Sequence, residues 1–141
     1  MKAAVVVLAL LLGACQPGPW AGPRAVPTPD RQHQPTLSVY FATWCFPCLA
    51  HLEVVRALHS ERKDTVAFEA AGVDLEGDIV LVPFAEHARL PFPVRAARPE
   101  ERPKSLPTTV LRDPTGRVRL EFSGVVSKAD LRQAMDRALS P

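Results

Sequence analysis

The spacing of apolar residues after position 35 changes between the period of a strand and the period of a helix. Residues 37–42 are a short run of apolar, β-branched and aromatic side chains, which predicts a buried strand. Apolar residues then recur every three or four positions, which predicts a helix over residues 45–60. These residues are Leu49, Leu52, Val55 and Leu58. Residues 65–70 predict a second strand.

The second half of the chain predicts a weaker helix and two further strands. The helix covers residues 83–90 and has Pro83 in its first turn, where a missing N–H is tolerated. The strands cover residues 108–112 and 118–122. A turn at residues 113–116 joins them, because its proline presets one φ angle and its glycine accepts a positive one.

A final helix begins at Ser127, which forms a capping-box-like pattern with Asp130. The predicted order of elements is therefore βαβαββα. Alternating strands and helices with a final hairpin predict an α/β fold, in which helices cover both faces of a mixed, four-stranded sheet.

The first 35 residues do not resemble a folded domain. A short positively charged start at Met1-Lys2 precedes an unbroken apolar run over residues 3–12 and small residues before Cys15. This is the layout of a signal peptide over residues 1–14. Residues 15–35 are rich in proline and cannot bury a core, so they predict an extended tether. The folded domain is expected at residues 36–141.

The sequence Leu12-Gly13-Ala14-Cys15 resembles a bacterial lipobox, in which the cysteine becomes the lipidated first residue of the mature protein. This predicts an exported protein that is lipid-anchored to a bacterial membrane on its periplasmic side. Gln16 after the cysteine resembles the pattern of sorting to the outer membrane. An ordinary signal peptide with an incidental cysteine is the alternative.

The net charge and the number of cysteines limit the functions that the chain could have. The net charge is +2 and the basic residues are scattered, so the composition gives no indication of a nucleic-acid partner. Of three cysteines, the lipobox takes Cys15 and leaves the single pair Cys45 and Cys48.

The sequence Trp44-Cys45-Phe46-Pro47-Cys48 falls where the first strand ends and the first helix begins. The unpaired N–H groups and dipole of a helix N-terminus favour a thiolate on Cys45. Cys48 lies one turn further into the helix and is predicted to be the buried, resolving thiol. Such a pair attacks a disulfide, forms a mixed disulfide and then releases the product. Trp44 and Phe46 predict an apolar rim for a protein partner.

Other uses of a C-x-x-C pair fit less well. A zinc site needs further ligands, but the sequence has no second cysteine pair, and His51 and His59 share one predicted helix. Attachment of c-type haem needs a histidine where Leu49 stands. A static disulfide is possible chemically, although so short a loop provides little stabilisation.

The motif and a second segment together resemble the thioredoxin superfamily, especially its extracytoplasmic TlpA/ResA-like reductases. The first segment is residues 40–48, and the second is Leu106-Pro107-Thr108-Thr109, followed by the turn at residues 113–116. This resemblance implies a thioredoxin-like fold, a redox-active Cys45–Cys48 disulfide, and no bound metal or further cofactor. It also implies that Pro107 is a cis-proline, which leaves the backbone of Leu106 free to pair with an extended substrate.

The resemblance further implies the partners of the protein. They are the thiols or disulfides of exported proteins, the membrane through the lipid anchor, and an upstream redox donor whose identity is unknown. The implied activity is that of a protein-disulfide reductase or exchanger.

The sequence departs from this family at several positions. Val39 replaces a buried acid of thioredoxin, and His51 replaces a glutamate of ResA-like proteins. His51 is therefore a candidate for proton transfer from Cys48, although a histidine without a role is equally consistent. The stretch between residues 95 and 105 is shorter than in the family and has four basic residues. They form either a docking patch or an ordinary solvated loop.

Two other functions are alternatives. A copper or metal chaperone would use Cys45, Cys48 and His51, because copper prefers soft ligands. A thiol peroxidase on the same fold would need a threonine where Ala42 stands.

Overall fold

The computed structural model describes residues 33–141, which form one mixed sheet with helices packed against it. The strands are β1 (Thr36–Phe41), β2 (Ala67–Gly72), β3 (Val94–Ala96), β4 (Thr108–Arg112) and β5 (Val118–Ser123). The helices are α1 (Phe46–Arg62), α2 (Asp78–His87) and α3 (Lys128–Leu139). A single 3-10 turn at Pro99–Glu101 lies between β3 and β4.

The strand order is β3-β2-β1-β4-β5. Strands β1, β2 and β3 pair in parallel, whereas β4 is antiparallel to both β1 and β5. The predicted α/β fold with a mixed sheet flanked by helices is confirmed, but the sheet has five strands and not four. The missed strand, β3, has only three residues, too few to show a strand period in the sequence.

The core lies between one face of the sheet and the helices. Leu37, Val39 and Phe41 alternate along β1 and pack in one cluster with apolar residues of all three helices. Helix α3 begins at its predicted cap, because the Ser127 side chain accepts a hydrogen bond from the Asp130 N–H. The burial of these apolar faces stabilises the helices more than their intrinsic propensity does.

Helix α2 differs from its prediction. It begins at Asp78, so Pro83 lies in its interior and not in its first turn. The proline removes one bond to the carbonyl of Ile79, whose side chain is exposed. Burial of Leu81 holds the helix close to β2, where a Cβ built on Gly72 would lie 2.1 Å from a methyl carbon of that leucine. Tertiary packing thus outweighs the local effect of the proline.

The prediction that helices cover both faces is wrong for residues 33–141. The second face has a smaller cluster, which contains Tyr40, Ala71, Ala97 and Val110, and no helical residue belongs to it. Between β3 and β4 the chain has only residues 97–107, interrupted by Pro99 and Pro103. This segment is too short for a helix to cross the sheet, so it crosses mostly as irregular chain.

Candidate active site

Cys45 lies at the junction of β1 and α1. The chain turns after β1 with a hydrogen bond from the Cys45 N–H to the Ala42 carbonyl, at 3.1 Å. Cys45 then occupies the N-cap position of α1 in an extended conformation, and proline follows in the first turn. Among residues 33–141, no side chain caps the helix, and its first turn has no acidic residue. A thiolate at Cys45 would therefore meet a helix N-terminus whose first turn has no acidic side chain.

Cys45 and Cys48 form a disulfide, with an S–S distance of 2.04 Å. Cys45 is 7% exposed and Cys48 is fully buried. The flanking aromatic side chains are much more open, with Trp44 73% exposed and Phe46 82% exposed. Cys45 thus keeps a small exposed fraction between two exposed rings, whereas Cys48 is enclosed in the core.

The second predicted segment lies beside this pair. The Leu106–Pro107 peptide bond is cis, and the Pro107 carbonyl accepts a hydrogen bond from the Gly124 N–H at 2.8 Å. Strand β4 begins immediately afterwards and pairs with β1. Within residues 33–141, no backbone hydrogen bond involves Leu106. Its backbone groups are available to a partner.

An open cleft of about 600 Å³ adjoins Cys45. One wall comes from the C-x-x-C segment and the other from the chain before β4. Its lining residues are Trp44, Cys45, Phe46, Pro47, Val73, Arg102, Pro103, Lys104, Ser105 and Leu106. The cleft therefore brings together the predicted nucleophile, its flanking residues and Leu106.

Asp74 supports the loop before Cys45, and no sequence motif indicated it. Its side chain is 3% exposed and accepts hydrogen bonds from the Thr43 N–H, at 3.1 and 3.2 Å, and from the Thr43 hydroxyl, at 2.5 Å. The available signal was its place two residues after β2, because parallel strands β1 and β2 end at the same edge of the sheet. Asp74 fixes the backbone two residues before the outer cysteine.

His51 lies on the buried face of α1, one turn after Cys48, and is itself fully buried. Its Nε2 is 2.7 Å from the Thr109 hydroxyl, and its Nδ1 accepts a longer bond, at 3.5 Å, from the Val126 N–H. An acceptor at Nδ1 implies that the proton of the neutral ring is on Nε2. Burial lowers the pKa of His51, which favours this neutral form.

The four basic residues between 95 and 105 separate into two pairs. Arg95 binds Glu69 at 2.9 Å and Glu101 at 2.8 Å, and Arg98 binds Glu101 at 3.0 Å. Hydrogen bonding by Arg95 lowers the pKa of Glu101 to about 2. Arg102 and Lys104, in contrast, line the cleft beside Cys45. Only the second pair is at the candidate site.

Several sequence predictions cannot be followed into the structure. Cys15, the predicted signal peptide at residues 1–14 and almost all of the tether at 15–35 lie outside residues 33–141. Over the described range, no helix is long and apolar enough to cross a membrane. The same range has no group of three or more histidine, cysteine or acidic side chains that could hold a metal ion.

Comparisons with known proteins agree with this geometry, although no family model matches the chain. The thiol–disulfide oxidoreductase ResA of Geobacillus thermodenitrificans is 29% identical over 103 residues, covering 69% of this chain. The match spans 59% of the length of that relative.

Two solved structures are similar over most of the chain. A thiol:disulfide interchange protein of Chlorobium tepidum superposes with a TM-score of 0.65 at 22% identity, covering 78% of this chain and 83% of its own. A thio-disulfide isomerase of Thermus thermophilus gives 0.61 at 25% identity, covering 76% and 80%. The predicted thioredoxin-like fold is confirmed, and one similar protein, ResA, is named a thiol–disulfide oxidoreductase.

Proposed function

We propose that the protein is a thiol–disulfide oxidoreductase that reduces, or exchanges, disulfides of exported proteins. The observation that carries this proposal is the Cys45–Cys48 disulfide at the N-terminus of α1, with its outer sulfur on an open cleft. The names of the homologues support the same activity. The reaction needs no cofactor besides the cysteine pair.

The reduced dithiol would act in two steps. The Cys45 thiolate attacks one sulfur of the substrate disulfide, which releases the first substrate thiol and leaves a mixed disulfide. The Cys48 sulfur then attacks Cys45, which releases the second thiol and closes the Cys45–Cys48 disulfide. Two electrons and two protons pass to the substrate. An upstream dithiol donor must then reduce the Cys45–Cys48 disulfide again.

The cleft supports docking of a polypeptide. An extended substrate can pair with the free backbone groups of Leu106, next to Pro107, as an added strand does at a sheet edge. Trp44 and Phe46 provide exposed apolar surface on the other side of Cys45, and Pro47 completes that wall. A substrate segment in the cleft therefore lies against the attacking sulfur.

His51 is the candidate for the proton of Cys48. Both side chains are fully buried and lie one helical turn apart on α1. The hydrogen bond from the Val126 N–H to Nδ1 is long. Nδ1 is therefore the ring nitrogen that can give up this bond and accept a proton instead. The shorter contact of Nε2 with Thr109 holds the ring in place during this exchange.

Variants of the two cysteines test the activity. The test uses the full chain with Cys15→Ser, so that only Cys45 and Cys48 can react. After reduction and removal of the reductant, this chain should reduce insulin disulfides, and Cys45→Ser should abolish the reaction. Cys48→Ser should instead accumulate a mixed disulfide, because no thiol remains to resolve it. Turnover by the Cys45→Ser chain would refute the mechanism, and tight copper binding without turnover would favour a metal chaperone.

We also propose that the protein is exported and anchored by lipid at Cys15, with residues 15–35 as the tether. The apolar run at residues 3–12 and the small residues before Cys15 support this proposal. Expressed in a bacterium, the wild-type chain should partition with membranes in high salt, and Cys15→Ser should release it to the soluble fraction. A Cys15→Ser chain that remains membrane-bound would contradict lipidation.

A further inference from the structure

The cleft beside Cys45 has a charge that the proposed reaction does not explain. Arg102 and Lys104 both line it, and both side chains are exposed. None of its ten lining residues is acidic. Among the described residues, the lining of the cleft therefore has two positive charges and no acidic side chain to balance them.

Arg102 and Lys104 differ in their ion pairing from the two basic residues that precede them in the chain. Arg95 and Arg98 are both neutralised by glutamates, at distances from 2.8 to 3.4 Å. Within residues 33–141, no ion pair involves the side chain of Arg102 or Lys104. This segment therefore pairs its first two cations with acids and leaves the next two unpaired at an open cleft. The unpaired cations are complementary to an external anion.

The shape of the cleft indicates which kind of anion it would accept. A small disulfide would need only the sulfur and a nearby charge. This cleft adds the exposed rings of Trp44 and Phe46 and the free backbone groups of Leu106. Unpaired backbone groups recognise an extended polypeptide, which can pair with them as a strand. The occupant that uses all these features is a peptide segment with acidic side chains.

We propose that the cleft selects polypeptide disulfides in which aspartate or glutamate lies within a few residues of the attacked cysteine. This inference rests on the proposed function and names its substrate class. The acidic side chains bind Arg102 and Lys104, and arginine can hold a carboxylate through two parallel hydrogen bonds. The cysteine of the same segment then lies beside Cys45, and the reaction follows the two steps given above.

The experiment compares matched peptides, each closed by one internal disulfide. One peptide has aspartate and glutamate beside its cysteines, and the other has asparagine and glutamine at the same positions. Reduced full chain with Cys15→Ser is mixed with each peptide, and the rate of reduction is measured by acid quench and mass spectrometry. At low salt, we expect the acidic peptide to react about fivefold faster, because exposed charge pairs contribute modestly. The preference should disappear in about 1 M salt, where the screening length is about 3 Å.

Charge variants assign the preference to the cleft. In the Arg102→Gln, Lys104→Gln double variant, the ratio of the two rates should fall to about one. The matched control is Lys63→Gln with Arg137→Gln, which removes two positive charges at the far ends of α1 and α3. This control should keep the wild-type ratio. Equal rates in the wild type, or a preference that survives in the cleft variant, would overturn the inference while leaving the oxidoreductase proposal intact.

Two further arms separate the inference from the proposed function. The oxidised chain is titrated with the same peptides after serine replaces both of their cysteines, so binding is measured without redox chemistry. Tighter binding of the acidic peptide supports the selectivity of the cleft even if no disulfide is reduced, which would refute only the proposed function. Oxidised glutathione is the small anionic comparison. If oxidised glutathione is reduced as fast as the acidic peptide, the proposal that the cleft selects polypeptide substrates is wrong.

Discussion

The ion-pair cluster on the second sheet face and the edge of the sheet around Cys45 use similar residues in opposite ways. In the cluster, Glu69 receives hydrogen bonds from both Ser38 and Arg95, and Glu101 binds both Arg95 and Arg98. Each charge there has an internal partner. At the cleft, the side chains of Arg102 and Lys104 have no ion-pair partner within residues 33–141.

The difference separates structural polar groups from groups that are available to a substrate. A charge that is already paired adds to stability, and a new partner would have to replace an existing bond. An exposed charge, a free backbone and an exposed ring can bind a partner at little cost to the fold. Changes in the cluster should therefore affect unfolding, and changes at the cleft edge should affect the reaction.

The largest expected effect on the reaction comes from Asp74, a buried acid outside the cleft whose hydrogen bonds position the loop before Cys45. Asp74→Ala removes all three hydrogen bonds to Thr43, so the loop that leads to Cys45 loses its position. Because misplacement by about 1 Å can reduce a rate about a hundredfold, we expect a loss of that order in disulfide reduction. The measurement is the single-turnover rate with insulin, together with a thermal melt to verify folding.

Two variants sharpen the comparison. Thr43→Val removes the hydroxyl bond but keeps the acid and the backbone bond, so its loss should be smaller. Glu69→Gln changes a partly buried acid of the cluster and should lower stability while the rate stays within about twofold. Comparable loss of rate in Asp74→Ala and Glu69→Gln would remove the distinction between the two regions.

His51 should give an intermediate effect that depends on pH. If Nδ1 takes the Cys48 proton, His51→Gln should slow resolution of the mixed disulfide about tenfold. This is less than a typical general base contributes, because Nδ1 already accepts a hydrogen bond from the Val126 N–H. Burial lowers the pKa of His51, so the part of the wild-type rate that depends on its neutral ring should be lost only as the pH falls below 6.5. The variant should lack this acid decline. Identical pH profiles would exclude His51 from proton transfer.

Glu101 should give the smallest effect on the reaction and a clear effect on stability. Its folded pKa of about 2 lies below the ordinary value of 4.5. The stabilisation from its ion pairs is therefore complete above about pH 4.5 and is lost as the pH falls towards 2. Glu101→Gln should reduce the free energy of unfolding by about 1 kcal/mol at pH 7 and by less at pH 3, as measured by urea titration. A constant difference across this range would contradict the assignment.

The helices and strands could be predicted where a clear pattern of apolar residues or a capping residue marked them in the sequence. Strand β4 matches its predicted bounds, and α3 starts after its predicted cap at Ser127. Strand β3 could not be predicted, because only three residues form it and they are a strand only through their pairing with β2. The start of α2 was missed because Pro83 suggested a helix start, whereas burial of Leu81 extends the helix before it.

The cysteine pair was visible in the sequence because its chemistry needs a fixed spacing. Burial of His51 could also have been inferred, since positions 48, 51, 52, 55 and 58 share one face of α1. The partners of Arg95 could not, because Glu69 comes from another strand and Glu101 folds back from a turn. The division between paired and unpaired cations therefore became evident only in three dimensions.

Differential alkylation tests the central claim, that Cys45 is the nucleophile and Cys48 the resolving thiol, most directly. The reduced full chain with Cys15→Ser is treated briefly with iodoacetamide at pH 6 and pH 7, and each labelled cysteine is quantified by mass spectrometry. The position of Cys45 at the helix N-terminus and its small exposed fraction, against none for Cys48, predict labelling at least about tenfold faster at Cys45, with the larger ratio at pH 6. Equal labelling of the two thiols, or faster labelling of Cys48, would contradict the account.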